Sequence, residues 1–282
     1  MSQTSPPPPD SDPPIPAPPP PTPPPGYYAS GETPSSGWAG PLGAYSAPAV
    51  WRGLQGLTTA LTVMFAVAIA IAALGIIGVV HHLSVLSDEP EVAGRLLDAD
   101  RVNDAATFPG VMLILFVLLS IAIFVVFVIW LFRAAKNNEA LGRANPRFGP
   151  GWAIGAWFIP LANLVIPVMI VWDLWKGSDA SVPRGDPNWR RARGGAIVIA
   201  WWIAYLVMTV PRGFTGLGKD DEGRFSKASD VRRSDMLEIV AAVGAIAAGA
   251  LAIVMVRQLT ARQEECLRVQ QSATPVAPPP AS

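Results

Sequence analysis

Apolar residues along this chain gather into long blocks instead of recurring at amphipathic spacing. Residues 53–80, 105–132, 194–211 and 239–256 contain no Lys, Arg, Asp or Glu. Crossing a bilayer takes ~20 apolar residues of helix. The first two blocks exceed that length. The last two have 18 residues each. At ~1.5 Å per residue they reach about 27 Å, which a thin or locally deformed bilayer accommodates. The pattern predicts four firm transmembrane spans.

A fifth uncharged block, residues 148–172, is broken by Pro160 and Pro167, with Asn163 between them. Each proline removes a backbone N–H donor and clashes with the preceding turn. In lipid the freed carbonyls must be met by another helix, a side chain or a cavity. Pro160, Asn163 and Pro167 share one face of a nominal helix. Two readings stand. The block is a kinked crossing helix whose Asn163 amide meets a carbonyl freed by Pro167. Alternatively it is a re-entrant pair of half-helices, the construction transporters use for substrate sites. Trp157, several residues inside, is the aromatic candidate for such a pocket. The Lys/Arg balance favours re-entry with the N-terminus inside. It divides the basic residues 13 inside to 8 outside, against 11 to 10 for full crossing.

Beyond the second span, Trp130, Arg133, Asn137 and Leu141 fall on one helical face. This is an interfacial anchor with a solvated end, or a polar cluster docked on the broken block. Asp173 follows Trp172 and is expected at the water interface. Arg133, Asn137 and Asp173 therefore form a candidate interfacial polar cluster. In the loop 81–104, Val92, Leu96 and Leu97 beside Arg95 predict a short helix on the membrane surface. His81 and His82 lack a third ligand, so no metal site is expected. Ala66, Ala68, Ala70 and Ala72 in the first span match Gly244, Ala245, Ala248 and Gly249 in the last. Small residues at this spacing allow close helix approach, against each other or in a homo-oligomer. The tryptophans at span ends fit interfacial belts.

Residues 1–50 carry proline runs such as Pro6–Pro9 and Pro18–Pro21. That composition buries no core and favours extended polyproline II. It predicts a disordered tail, serving as a spacer or as a docking peptide for a cytoplasmic protein partner. The first apolar block begins about fifty residues in without a basic leader, so it is expected to be an uncleaved anchor. The division follows as a tail over 1–50, a transmembrane domain over 51–262 and a short disordered tail over 263–282. Formal net charge is zero, so nucleic acid has no electrostatic footprint here. The single cysteine, Cys266, excludes an intramolecular disulfide and a cysteine-based metal site, and is expected to be a reduced, inert thiol. No H-E-x-x-H, phosphate-cradling glycine loop or acid pair lies within a span. The chain is expected not to be an enzyme and to need no cofactor.

The run from Arg133 through Asn137 to Gly142 is followed by Trp152, Gly155, Trp157, Phe158, Pro160, Asn163 and Pro167, then by Asp173 and Trp175. This order resembles the signature of the actinobacterial membrane proteins of the domain of unknown function 4328 family. The pair Trp201 and Trp202 is similar too, although Tyr205 stands where the family pattern often has a further Trp. The proline-rich tail is also like those attached to such domains. The resemblance covers roughly residues 55–260 and implies a membrane domain without an established activity. The resulting expectation is an all-α, multi-pass transmembrane helical bundle in the plasma membrane, with a cytoplasmic N-terminus. It would act as a non-enzymatic scaffold or sensor that presents its proline-rich tail. The alternative is a small-solute or lipid transporter or channel with its site at residues 160–167.

Overall fold

The computed structural model describes residues 50–88, 91–92, 95–96, 99–159, 161–214 and 228–273. The elements run α1 (Gln55–Asp88), β1 (Glu91–Val92), β2 (Arg95–Leu96), α2 (Ala99–Ala105), α3 (Thr107–Ala140), α4 (Trp152–Gly155), α5 (Ile166–Gly177), α6 (Ala196–Thr209) and α7 (Ala228–Ala273). Four helical stretches are long and apolar enough to span a membrane: α1, α2 with α3, α6, and α7. The protein is an all-α transmembrane bundle apart from a two-residue antiparallel ladder between β1 and β2.

α7 is the central helix. Half of its apolar stretch is buried in protein, against less than a quarter for the other three. Its small residues make this arrangement possible. A Cβ added at Gly244 would lie 2.6 Å from the Met208 backbone nitrogen of α6. One added at Gly249 would press on Ile69 of α1 at 3.0 Å. Ala68 and Ala72 of α1 are buried, while Ala66 and Ala70 are exposed. The expected packing of first against last span therefore runs through the Ala68–Ala72 stripe. The outward faces of α1 and α3 stay apolar, with Ile77, Ile114, Leu118 and Ile121 all more than half exposed. Apolar surface of this kind fits contact with a lipid bilayer.

The proline-broken block is not one helix. α4 is a single turn, a bend follows, and α5 starts afresh at Ile166. Pro167 occupies the second position of α5, where no intrahelical N–H is required. It therefore opens a helix instead of kinking one. Leu161 holds φ +64° at the bend and is 79% exposed. Pro160 lies outside the described residues. The two ends of the block meet: the Arg143 Nε donates to the Gly177 carbonyl at 2.8 Å. The Trp189 indole N–H closes the following loop on the Ala144 carbonyl at 2.8 Å. The segment enters and leaves at the same end of the bundle, the re-entrant alternative. That end also holds the starts of α1 and α6 and the close of α7.

Other expectations change. No surface helix forms around Val92 and Leu96, which sit in the β-ladder; Leu97 lies outside the described residues. Val92 pairs with Arg95 and Glu91 with Leu96, an extended pairing that excludes a helix through these residues. His82 is buried on Asp235 at 2.8 Å, while His81 is exposed. The chain after residue 262 continues as α7 to Ala273, because Gln263 is buried against α3 and Cys266 against Arg143. Of the tryptophans near span ends, Trp130, Trp175, Trp201 and Trp202 are buried in the core, while Trp152 is exposed. The tail 1–49 lies outside the described residues.

In a Cys266→Ser background, cysteines at Ala144 and Ser181 should label with an impermeant maleimide from one side. A cysteine at Ser87 should label from the other. Opposite-side labelling at Ala144 and Ser181 would disprove re-entry.

Candidate site at the re-entrant segment

The end of α3 is built as a polar face, and its partners are α7 and the strand of chain before α1. Asn137 is fully buried. Its Nδ2 donates to the Arg52 carbonyl at 2.9 Å and to Gln263 Oε1 at 3.2 Å. Its Oδ1 accepts from the Arg52 backbone N–H at 2.8 Å. Gln263 Nε2 in turn donates to the Ala134 carbonyl. Two turns deeper, the Trp130 indole N–H lies 3.2 Å from both the Thr58 and Thr260 hydroxyls, themselves 2.7 Å apart. Arg133 reaches the Gly53 carbonyl at 3.4 Å. Trp130 and Asn137 of this face are thus buried against α7 and the chain before α1, and not docked on the broken block.

Arg143, just past the α3 cap, is 2% exposed. Besides Gly177, its guanidinium donates to the carbonyls of Asp179, Val182 and Pro183, at 2.7–3.1 Å. It also lies 3.3 Å from the Cys266 sulfur. The Gly177 carbonyl belongs to the last turn of α5, where the helix itself provides no donor. A planar fork of five N–H groups is suited to collecting several carbonyls at once.

Asp173 is separated from Arg133 and Asn137. It is buried in protein instead of exposed, with Arg147 Nε 3.5 Å from Oδ2. Neither of its oxygens accepts a hydrogen bond, and the Asn138 Oδ1 beside it is also unmet. Both residues line one small void. Burial raises the Asp173 pKa above the ordinary carboxylate value, opposed by Arg147, Arg190 and Lys176. Asp179 goes the other way: the Ser181 hydroxyl, with help from its N–H, holds that carboxyl low against the opposing effect of burial.

Trp157 lies at the inner end of the re-entrant segment. Its indole N–H donates to the Ala153 carbonyl at 3.1 Å. Its ring meets Phe124, Phe127 and Tyr205 edge-on at 5.6–6.3 Å. These residues border a cavity of about 240 Å³. Asn163 and Pro167 do not line it. The Asn163 side chain makes no hydrogen bond among the described residues. Trp157 therefore parts company with the other residues of the proposed 160–167 site.

The sequence profile described as Domain of unknown function (DUF4328) matches residues 93–261, more than half of the chain. The chain belongs to the DUF4328 family. No curated protein and no solved structure matches it. The DUF4328 region includes α3, the re-entrant segment, α6 and most of α7, while α1 precedes it. Asn137, Arg143, Trp157 and Asp173 all fall inside it. Arg143 and Gln263 were not singled out by sequence reasoning. A usable signal existed for the second: Thr260, Gln263, Cys266 and Gln270 recur every three or four residues after an apolar run.

Arg143→Met should cost about 3 kcal/mol, mainly by leaving the Gly177 and Val182 carbonyls without a donor, seen as a lowered thermal midpoint in detergent. Asn163→Ala should stay within about 0.5 kcal/mol. The raised Asp173 pKa means the folded state binds this proton more tightly than the unfolded state. Its contribution therefore weakens as pH rises from the ordinary carboxylate value through the raised one. For Asp179 the contribution is present above the ordinary value and is lost as pH falls through the lowered one. Asp173→Asn should flatten the first dependence. At neutral pH it should raise stability by on the order of 1 kcal/mol, since a poorly met buried charge is removed. Thermal unfolding across pH 4–8 checks both the slope and the sign.

Proposed function

We propose that this membrane protein is a non-enzymatic scaffold or sensor whose bundle holds the proline-rich N-terminal segment at the cytoplasmic face of the plasma membrane. The observation that carries this reading is the grip on the root of that segment. Asn137 takes both the N–H and the carbonyl of Arg52, and Leu54 is buried at 1% exposure. A chain that merely trailed from the first helix would need no such clamp. The clamp also ties the root to Gln263 of α7, so a partner on the proline tract is coupled to the central helix. The orientation is supported by charge: the re-entrant topology assigns 13 of the 21 Lys and Arg residues to the side on which α1 starts and α7 ends, and basic residues accumulate in the cytoplasm. Polyproline tracts suit partner docking because their extended form is pre-ordered.

Cross-linking in intact cells compares the full chain with one lacking residues 2–49. The full chain should yield a discrete cross-linked partner that the shortened, still inserted chain does not. Identical patterns would remove the scaffold reading. With Cys266→Ser, a cysteine at Ser87 should label from outside intact cells, and one at Ser272 only after permeabilisation.

A further inference from the structure

We infer that the gap between α3 and α6 takes up a single hydrocarbon chain of a bilayer lipid, entering sideways from the membrane. The four spanning helices form an open ring. α1 packs on both α3 and α7, and α7 packs on α6, whereas α3 and α6 approach less closely and meet through the Phe127 and Trp201 rings, 5.8 Å between centroids. The re-entrant segment plugs this gap at one end, with α5 touching both helices. At the other end Arg212 lies over the Phe116 ring, 4.7 Å from its centroid. Between them is the cavity of about 240 Å³.

Its walls suit hydrocarbon. Phe65, Phe124, Phe127, Trp157, Trp201 and Tyr205 line it over a floor of Ala245, Ala248 and Gly249. Ser120 and Tyr205 are the lining residues that carry hydroxyls. The Trp157 N–H is already used on Ala153. Apart from these two hydroxyls and the Trp201 indole N–H, the lining is hydrocarbon and aromatic ring. Protein interiors are close-packed, and atoms facing a void forfeit their dispersion contacts. An engineered apolar cavity of ~150 Å³ stays dry and binds benzene; this one is larger.

The depth selects the occupant. Trp130, stacked on Phe127 at 5.6 Å, separates the cavity from the polar end of the bundle. Leu118 and Ile121 on α3 and Ile203 on α6, all more than half exposed, present apolar faces to the bilayer. A lipid tail moving into the gap never leaves hydrocarbon, whereas a polar solute would lose its hydration. The inference stands apart from the scaffold reading, since it does not involve the N-terminal segment.

The test uses the full chain in vesicles of phosphatidylethanolamine and phosphatidylglycerol, doped with phosphatidylglycerol carrying a mid-chain diazirine. After irradiation, adducts are mapped by mass spectrometry. Adducts should concentrate on cavity residues such as Phe124, Trp157 and Tyr205, in excess of those on lipid-facing Leu118. Filling the space with Ala248→Leu, or separately Ser120→Leu, should lower the cavity adducts by at least about fivefold and leave Leu118 unchanged. Cavity adducts no more frequent than those at Leu118, or unaltered by a folded filling variant, would overturn the inference. Should neither variant fold, the wild-type adduct map alone decides between these outcomes.

Discussion

The buried guanidinium of Arg143 gathers the carbonyls of four residues at and behind the end of α5. A helix leaves its last carbonyls without an intrahelical donor, and where protein covers that end a side chain must supply one. Here α5 finishes at Gly177, and the loop through Pro183 runs close behind it. Arg143 meets the carbonyls of Gly177, Asp179, Val182 and Pro183 together. It stands just after Gly142, whose φ of +74° lets the α3 terminus turn, and a Cβ there would press on Arg184. The same guanidinium touches Cys266 of α7. One side chain thereby joins α3, the re-entrant segment and α7.

The rest of the bundle follows from where that junction lies. The spans are tied at one end by Asn137, Gln263 and the Thr58–Thr260–Trp130 group. At the other end His82 and Asp235 join α1 to α7. Between these polar ties the contacts are small residues on aliphatic surface, where helices approach by shape alone. Polar groups near the ends and shape in the middle define register without burying an unpaired charge at depth. The re-entrant segment reaches only partway in, so the α3–α6 gap stays open beyond Trp157.

Much of this architecture was legible in the order of residues. Uncharged blocks marked the spans, because crossing length and polarity are properties of a local stretch. Pro160 and Pro167 marked the break, since proline acts on its own turn. The candidate site was legible only in part. Trp157 was singled out and does border a cavity, but Asn163 and Pro167 do not share it. Asp173 looked like an interfacial acid because two tryptophans flank it. A folded-over loop buries it, and nothing within a few residues of Asp173 encodes that loop. The tryptophans near span ends looked like a belt for the same reason: sequence position gives depth but not facing.

By itself the sequence determined that this is a multi-pass helical membrane protein of the DUF4328 family with a broken fifth apolar segment. Hydropathy, proline chemistry and residue order need no partner to be read. Tertiary structure alone decided that the segment re-enters, that the polar face of α3 holds α7 and the tail root, and that an apolar cavity remains between α3 and α6. Each of these depends on which surfaces of distant segments meet. That choice is made by hydrogen bonds spanning from about 35 to more than 120 residues of chain, which no local window contains.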